Sequence, residues 1–186
     1  MKKTKKTKKK SSSLNVGGSI SVCGEICDET LADFVTDLND INHTFGKSKY
    51  LIEVKITSPG GSADIALGMY DAIRASNHSV VTSVYGMAES AAVLLAQAGD
   101  IRVMTQHSRL MLHPIKLSTM DSSMHEIKEY TKECNRIFEA YCQLIGDRSG
   151  LGYDKIASIC SKETYIPAPQ ALEMGLCDLI LPARSF

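Results

Sequence analysis

Tryptophan is missing from this chain, and aromatic residues supply only 6% of its 186 positions. Contacts between helices and strands must then be built mainly from Leu, Ile, Val, Ala and Met. No apolar run approaches the roughly 20 residues of a membrane-spanning helix, which excludes a helical membrane protein. The start of the chain is strongly charged, but no apolar stretch follows it, so a secretion signal is not expected. No histidine or cysteine pair lies near Cys23 and Cys27, whose C-x3-C spacing is poor for zinc, and neither a metal nor a cofactor is called for. No internal repeat is present.

Acidic residues are absent from residues 1–13, which hold seven lysines. Removing those seven from the 21 basic residues leaves 14 against 21 acidic, a formal charge of about −7 over residues 14–186. The net charge of zero therefore hides an acidic domain with a basic tail. Residues 1–18 read as a solvated, disordered leader. No aromatic residue interleaves the lysines, so nothing beyond charge attraction supports nucleic-acid binding. Six cysteines in a chain of this length do not make a small disulfide scaffold. Free thiols and a cytoplasmic location are expected.

The remaining 168 or so residues suit one domain with a full core. Residues 19–23, 50–56, 80–84, 101–104, 109–112, 164–166 and 179–181 read as strands. Helical spacing predicts helices over 29–38, 62–76, 90–98, 121–145, 153–160 and 168–174. Residues 39–48 are polar and read as a loop. Alternation of strands and helices up to residue 113 predicts repeated βαβ units and a mainly parallel sheet, an α/β fold. The long helix carries an apolar stripe at Ile127, Tyr130, Cys134, Ile137, Phe138, Tyr141 and Leu144. That stripe exceeds what one sheet face needs and points to a subunit interface.

The chemistry concentrates between residues 56 and 113. A glycine turn, Ser58-Pro59-Gly60-Gly61, is followed by Gly86-Met87-Ala88-Glu89-Ser90-Ala91-Ala92 and then by Ser108-Arg109-Leu110-Met111-Leu112-His113-Pro114. Free amides at a turn, a serine at a helix start and a histidine at a strand end are the parts of an acyl-transfer site. The G-x-S-x-G context of a hydrolase nucleophile elbow is absent. Among the five histidines only His113 ends an apolar strand, whereas His107 sits in a polar turn.

These motifs, with Ala168-Pro169-Gln170-Ala171 and Gly175-Leu176-Cys177-Asp178, resemble the proteolytic subunit of the Clp protease over about residues 19–183. The resemblance implies a fold of the Clp and crotonase type. Its head would be residues 19–113 and 151–183, and its handle about 115–150. It implies Ser90 as nucleophile, His113 as base, and the amides of Gly61 and Ala91 as oxyanion hole. Glu163 falls where the family normally has aspartate, and Asp178 is a rival carboxylate better suited to structural bonds. Ile115, Lys116 and Leu117 fall where the family pairs an extended substrate strand. Stacked heptameric rings, an unfolded protein or peptide substrate and a AAA+ unfoldase partner are implied too. However, Glu53 and Lys55 stand where the family's docking cleft offers aromatics, and a charged pair cannot bury an apolar loop without a desolvation cost. Two other functions compete: a non-catalytic structural subunit, and a crotonase-type acyl-CoA hydratase or isomerase. The latter would need carboxylates as acid and base in place of a Ser–His pair.

Overall fold

A computed structural model describes residues 16–45, 50–116 and 123–183. The lysine-rich tail, Leu117 and the first residues expected of the long helix lie outside them. The elements run β1 (Val16–Ile26), α1 (Asp28–Phe45), β2 (Leu51–Gly61), α2 (Ala63–Arg74), β3 (Ser79–Glu89), α3 (Ala92–Ala98), β4 (Ile101–Thr105) and β5 (Arg109–Leu112). They continue with α4 (Met124–Ser149), α5 (Tyr153–Ile159), β6 (Thr164–Pro167), α6 (Ala168–Glu173) and β7 (Leu179–Leu181).

The fold is mixed α/β with a mostly parallel sheet in the order β1-β2-β3-β4-β7. Side chains alternate across each strand. Ile20, Val22, Ile52, Val54, Ile56, Val80 and Val84 are buried together on one face, beneath α1, α2 and α3. The opposite face carries Ser19, Ser21, Glu53, Lys55 and Tyr85, none of them buried. All seven residues of α3 are buried, as a helix lodged between the sheet and other helices must be.

Several boundaries differ from the sequence expectations, and at three of them tertiary contact outweighs local composition. Helix α1 continues through the polar stretch to Phe45. There Ile41 packs on Gly18 and the Phe45 ring lies 4.8 Å from that of Tyr50. Strand β2 does not stop at Ser58 but runs to Gly61, because Glu25 and Ile26 of β1 pair with Gly60 and Gly61. Strand β3 continues through the small residues to Glu89, and it forks. Its first half pairs with β4, and its second half, Met87–Glu89, pairs with β5. Strand β6 then adds antiparallel to β5.

Helix α4 spans 26 residues, closed at its start by a capping box between Ser123 and Glu126 and at its end by Gly150 in the left-handed region. Its C-terminal half is anchored through the buried Tyr141, Cys142 and Ile145. Its first ten residues are not: none is buried, and Met124 is 83% exposed and Tyr130 48%. A polar cluster ties β4 to α3, to α4 and to the loop between α6 and β7. Arg102 on β4 is only 7% exposed and binds Asp178, the Gln97 amide oxygen and the carbonyls of Arg148 and Gly175. Among the described residues, no helix is long and apolar enough to cross a membrane.

Candidate active site

The fork in β3 builds the site. Pairing of Glu89 with Met111 brings the residue after β3 beside the residue after β5. The Ser90 amide donates to the Met111 carbonyl at 2.7 Å, which fixes the end of the ladder. Ser90 then turns sharply, with φ of +54°, before α3 begins two residues later. It is the single non-glycine residue with positive φ among the described residues. Such a conformation costs about 1–2 kcal/mol and persists only where surroundings hold it. The turn lifts Ser90 Oγ out of the sheet toward His113, whose Nε2 lies 2.8 Å away.

The other imidazole nitrogen determines the chemistry available. His113 Nδ1 lies 2.5 Å from the Pro114 carbonyl oxygen. A carbonyl can only accept, so Nδ1 carries the hydrogen and Nε2 is left as the acceptor for the Ser90 hydroxyl. Both side chains are half-buried, at the mouth of a groove of about 470 Å³. One wall of the groove is Gly61, Ser62 and Ala91, and another is Ile115 with Lys116. The third is α4, through Tyr130, Cys134, Ile137, Phe138 and Tyr141 at three- and four-residue steps.

The glycines act by their lack of a side chain. A Cβ on Gly61, whose φ is +149°, would lie 2.3 Å from the Ile26 carbonyl oxygen. A Cβ on Gly60, whose φ is +95°, would lie 2.6 Å from the Glu89 carbonyl oxygen and 2.8 Å from Ser90 Cβ. Gly60 therefore lets the end of β2 touch the serine turn. Sequence reasoning singled out Gly61 and missed this role of its neighbour, although the doubled glycine was its signal. Ser58, fully buried, holds the pair by accepting the Gly60 amide at 3.1 Å.

Of the sequence-predicted residues, the structure brings Ser90, His113, Gly61, Ala91, Ile115 and Lys116 to one groove. It does not join Glu163 to the imidazole: the Glu163 carboxylate accepts from the Tyr165 hydroxyl at 2.6 Å. That bond, with partial desolvation and the Glu163 charge adding to it, pushes the Tyr165 phenol above its ordinary value. The β5–β6 ladder ends at the Leu112–Thr164 pair, so Glu163 and His113 each follow directly on its last rung. Asp178 is remote from this groove and bound to Arg102, a structural role. A second feature was not foreseen: Glu89, next to Ser90, is ion-paired with Arg109 at 2.7 Å, and Arg109 lies over the Tyr165 ring. Glu53 and Lys55 point out from β2, 3.7 Å from each other.

A sequence profile of the Clp protease family matches residues 2–184. The chain is 30% identical over 163 residues to the ATP-dependent Clp protease proteolytic subunit of Pleurastrum terricola, covering 87% of this chain and 82% of that one. It is 33% identical over 132 residues to the ATP-dependent Clp protease proteolytic subunit 3 of Parasynechococcus marenigrum, covering 70% and 66%. It is 31% identical over 132 residues to the ATP-dependent Clp protease proteolytic subunit of Bacteroides fragilis, covering 70% of this chain and 63% of that one.

Proposed function

Because the chain belongs to the Clp protease family, we propose that it is a serine endopeptidase that cleaves unfolded proteins or peptides through an acyl-enzyme on Ser90. The observation that carries this reading is the 2.8 Å contact of His113 Nε2 with Ser90 Oγ on a strained turn. Ser90 Oγ attacks the scissile carbonyl carbon while His113 Nε2 takes its proton. The carbonyl oxygen gains the negative charge and is received by the amides of Gly61 and Ala91. Collapse of the tetrahedral intermediate breaks the C–N bond, and His113 returns the proton to the leaving amine. Water, activated by the same imidazole, then hydrolyses the ester. The apolar wall of Ile137, Phe138 and Tyr141 would receive a substrate side chain, and Ile115 and Lys116 would pair with its backbone.

Glu163 is the third member in this reading. The neutral Pro114 carbonyl orients His113 but stabilises imidazolium less than a carboxylate would. To act so, Glu163 would have to leave Tyr165 and accept from Nδ1 in place of Pro114. A fluorophosphonate probe is expected to label wild-type protein at Ser90, His113→Ala to abolish labelling, and Glu163→Gln to slow it about tenfold, since orientation is shared with Pro114. Normal labelling of Glu163→Gln would leave the carboxylate without a role. Absence of labelling in wild type would favour the second reading, a non-catalytic subunit, which the Glu163–Tyr165 bond supports.

The chain would work as a ring-shaped homo-oligomer, with stacked heptamers as the family pattern. The exposed Met124 and Tyr130 near the start of α4 favour burial between copies. Gel filtration is expected to give a mass many times that of one chain, and a monomer would refute this. A AAA+ unfoldase docking on β2 would meet Glu53 and Lys55, so its contact there would be polar.

A further inference from the structure

Helix α4 reaches the serine turn through one polar atom. The Tyr141 hydroxyl donates to the carbonyl oxygen of Ser90 at 3.0 Å. Tyr141 is otherwise buried against the core cluster and is 8% exposed. Burial pushes its phenol well above the ordinary value, with Cys160 and Cys142 adding to the shift, so the hydroxyl stays a donor at any working pH. The Ser90 carbonyl has a second partner, the Val93 amide at 3.1 Å.

The Ser90 carbonyl and the Ala91 amide belong to one peptide unit. That unit is planar and trans, so its C=O and N–H point in opposite directions. Whatever grips the oxygen on one side aims the hydrogen on the other. We infer that Tyr141 is a positioning residue that orients the Ala91 N–H toward the developing oxyanion by holding the Ser90 carbonyl from behind. The inference rests on the reading of Ser90 as nucleophile and goes beyond it by giving α4 a part in the chemistry. The grip matters here because this peptide unit links a residue at φ of +54° to the first turn of α3, where its carbonyl has one helical bond, from Val93. The Val93 bond alone leaves the plane free to rock about the chain direction, and a second bond from a different element removes that freedom.

Tyr141→Phe tests this, because it deletes one oxygen and keeps the ring that fills the core. Loss of an oxyanion donor slows acyl transfer by roughly 10²–10³-fold, and a misaimed donor retains part of that. The variant is expected to show kcat about tenfold lower on a fluorogenic peptide with KM unchanged. Affinity for a peptide boronate, whose tetrahedral adduct places an oxygen where the oxyanion forms, should fall by about the same factor. The pH profile should keep its midpoint, since His113 is untouched, and the unfolding midpoint should stay close to wild type. Hydrogen exchange at residues 90–93 should quicken. A kcat and boronate affinity equal to wild type would overturn the inference while leaving Ser90 as nucleophile. A raised KM together with a large loss of stability would also overturn it, by assigning Tyr141 to packing alone. A wild-type protein that forms no boronate adduct at Ser90 would remove the nucleophile reading and this inference with it.

Discussion

Ser90→Ala is expected to lower kcat for peptide hydrolysis by roughly four to six orders of magnitude, to the level left by binding and the oxyanion hole. The size follows from what is lost. Acyl transfer through an enzyme ester needs an oxygen nucleophile, and without Oγ the imidazole can only activate water in a geometry built for a serine. The fold should be almost indifferent to the change. Ser90 is half-buried, and its hydroxyl meets the side chain of His113 at the edge of the groove. Alanine at φ of +54° carries about the same strain as serine. The backbone bonds that set the turn, from Ser90 N to Met111 and from Val93 to Ser90 O, survive intact. Assembly, unfolding midpoint and KM are therefore expected to match wild type. Residual activity above about 1% of wild type in the purified variant would move the nucleophile elsewhere.

Ser90 could be singled out as a candidate because its signals are local. A serine within a run of small residues, a histidine closing Leu110–Leu112 and a doubled glycine after a strand all sit in short windows. The pairing that joins them is not local. Nothing in residues 80–89 announces that β3 continues past Gly86 or that β5 adds to its far half, since the partner lies some 20 residues away. For the same reason α1 was expected to stop near Leu38: the contacts that carry it to Phe45 come from Gly18 and Tyr50. Tyr141 was visible as a stripe position on a long helix, and its burial follows from that. Its hydroxyl's partner depends on where the Ser90 turn falls, which periodicity does not encode. Glu163 marks a further limit. Its place beside the end of the β5–β6 ladder follows from strand pairing, but its bond to Tyr165 depends on side-chain torsions. Alignment of residue types carries no information about torsions.

Arg102→Met is expected to destabilise the fold by about 3 kcal/mol. The guanidinium is nearly dry and serves several acceptors at once. Its Nε and Nη2 meet both oxygens of Asp178, at 3.0 and 2.5 Å, and Nη1 reaches Gln97, Arg148 and Gly175. Methionine fills much of the volume but leaves those carbonyls without a donor, and each unmet buried acceptor costs about 1–3 kcal/mol. The total is held down because the Asp178 side chain is 40% exposed and recovers water. Asp178 gives an independent check through pH. Hydrogen bonding from the Arg102 side chain, and then from its backbone amide, holds the Asp178 carboxyl below its ordinary value against the opposing effect of burial. A depressed folded value means that the ionised form favours folding. Its contribution is complete above the unfolded value near 3.9 and is lost as pH falls through the folded one. The stability gap between wild type and Asp178→Asn, measured by urea unfolding, should therefore be constant near neutrality and shrink below about pH 4. Arg102→Met within about 1 kcal/mol of wild type at pH 7 would show that the cluster is replaceable by packing. Because none of the cluster residues lines the groove, the variant should still label at Ser90 at the wild-type rate per folded molecule.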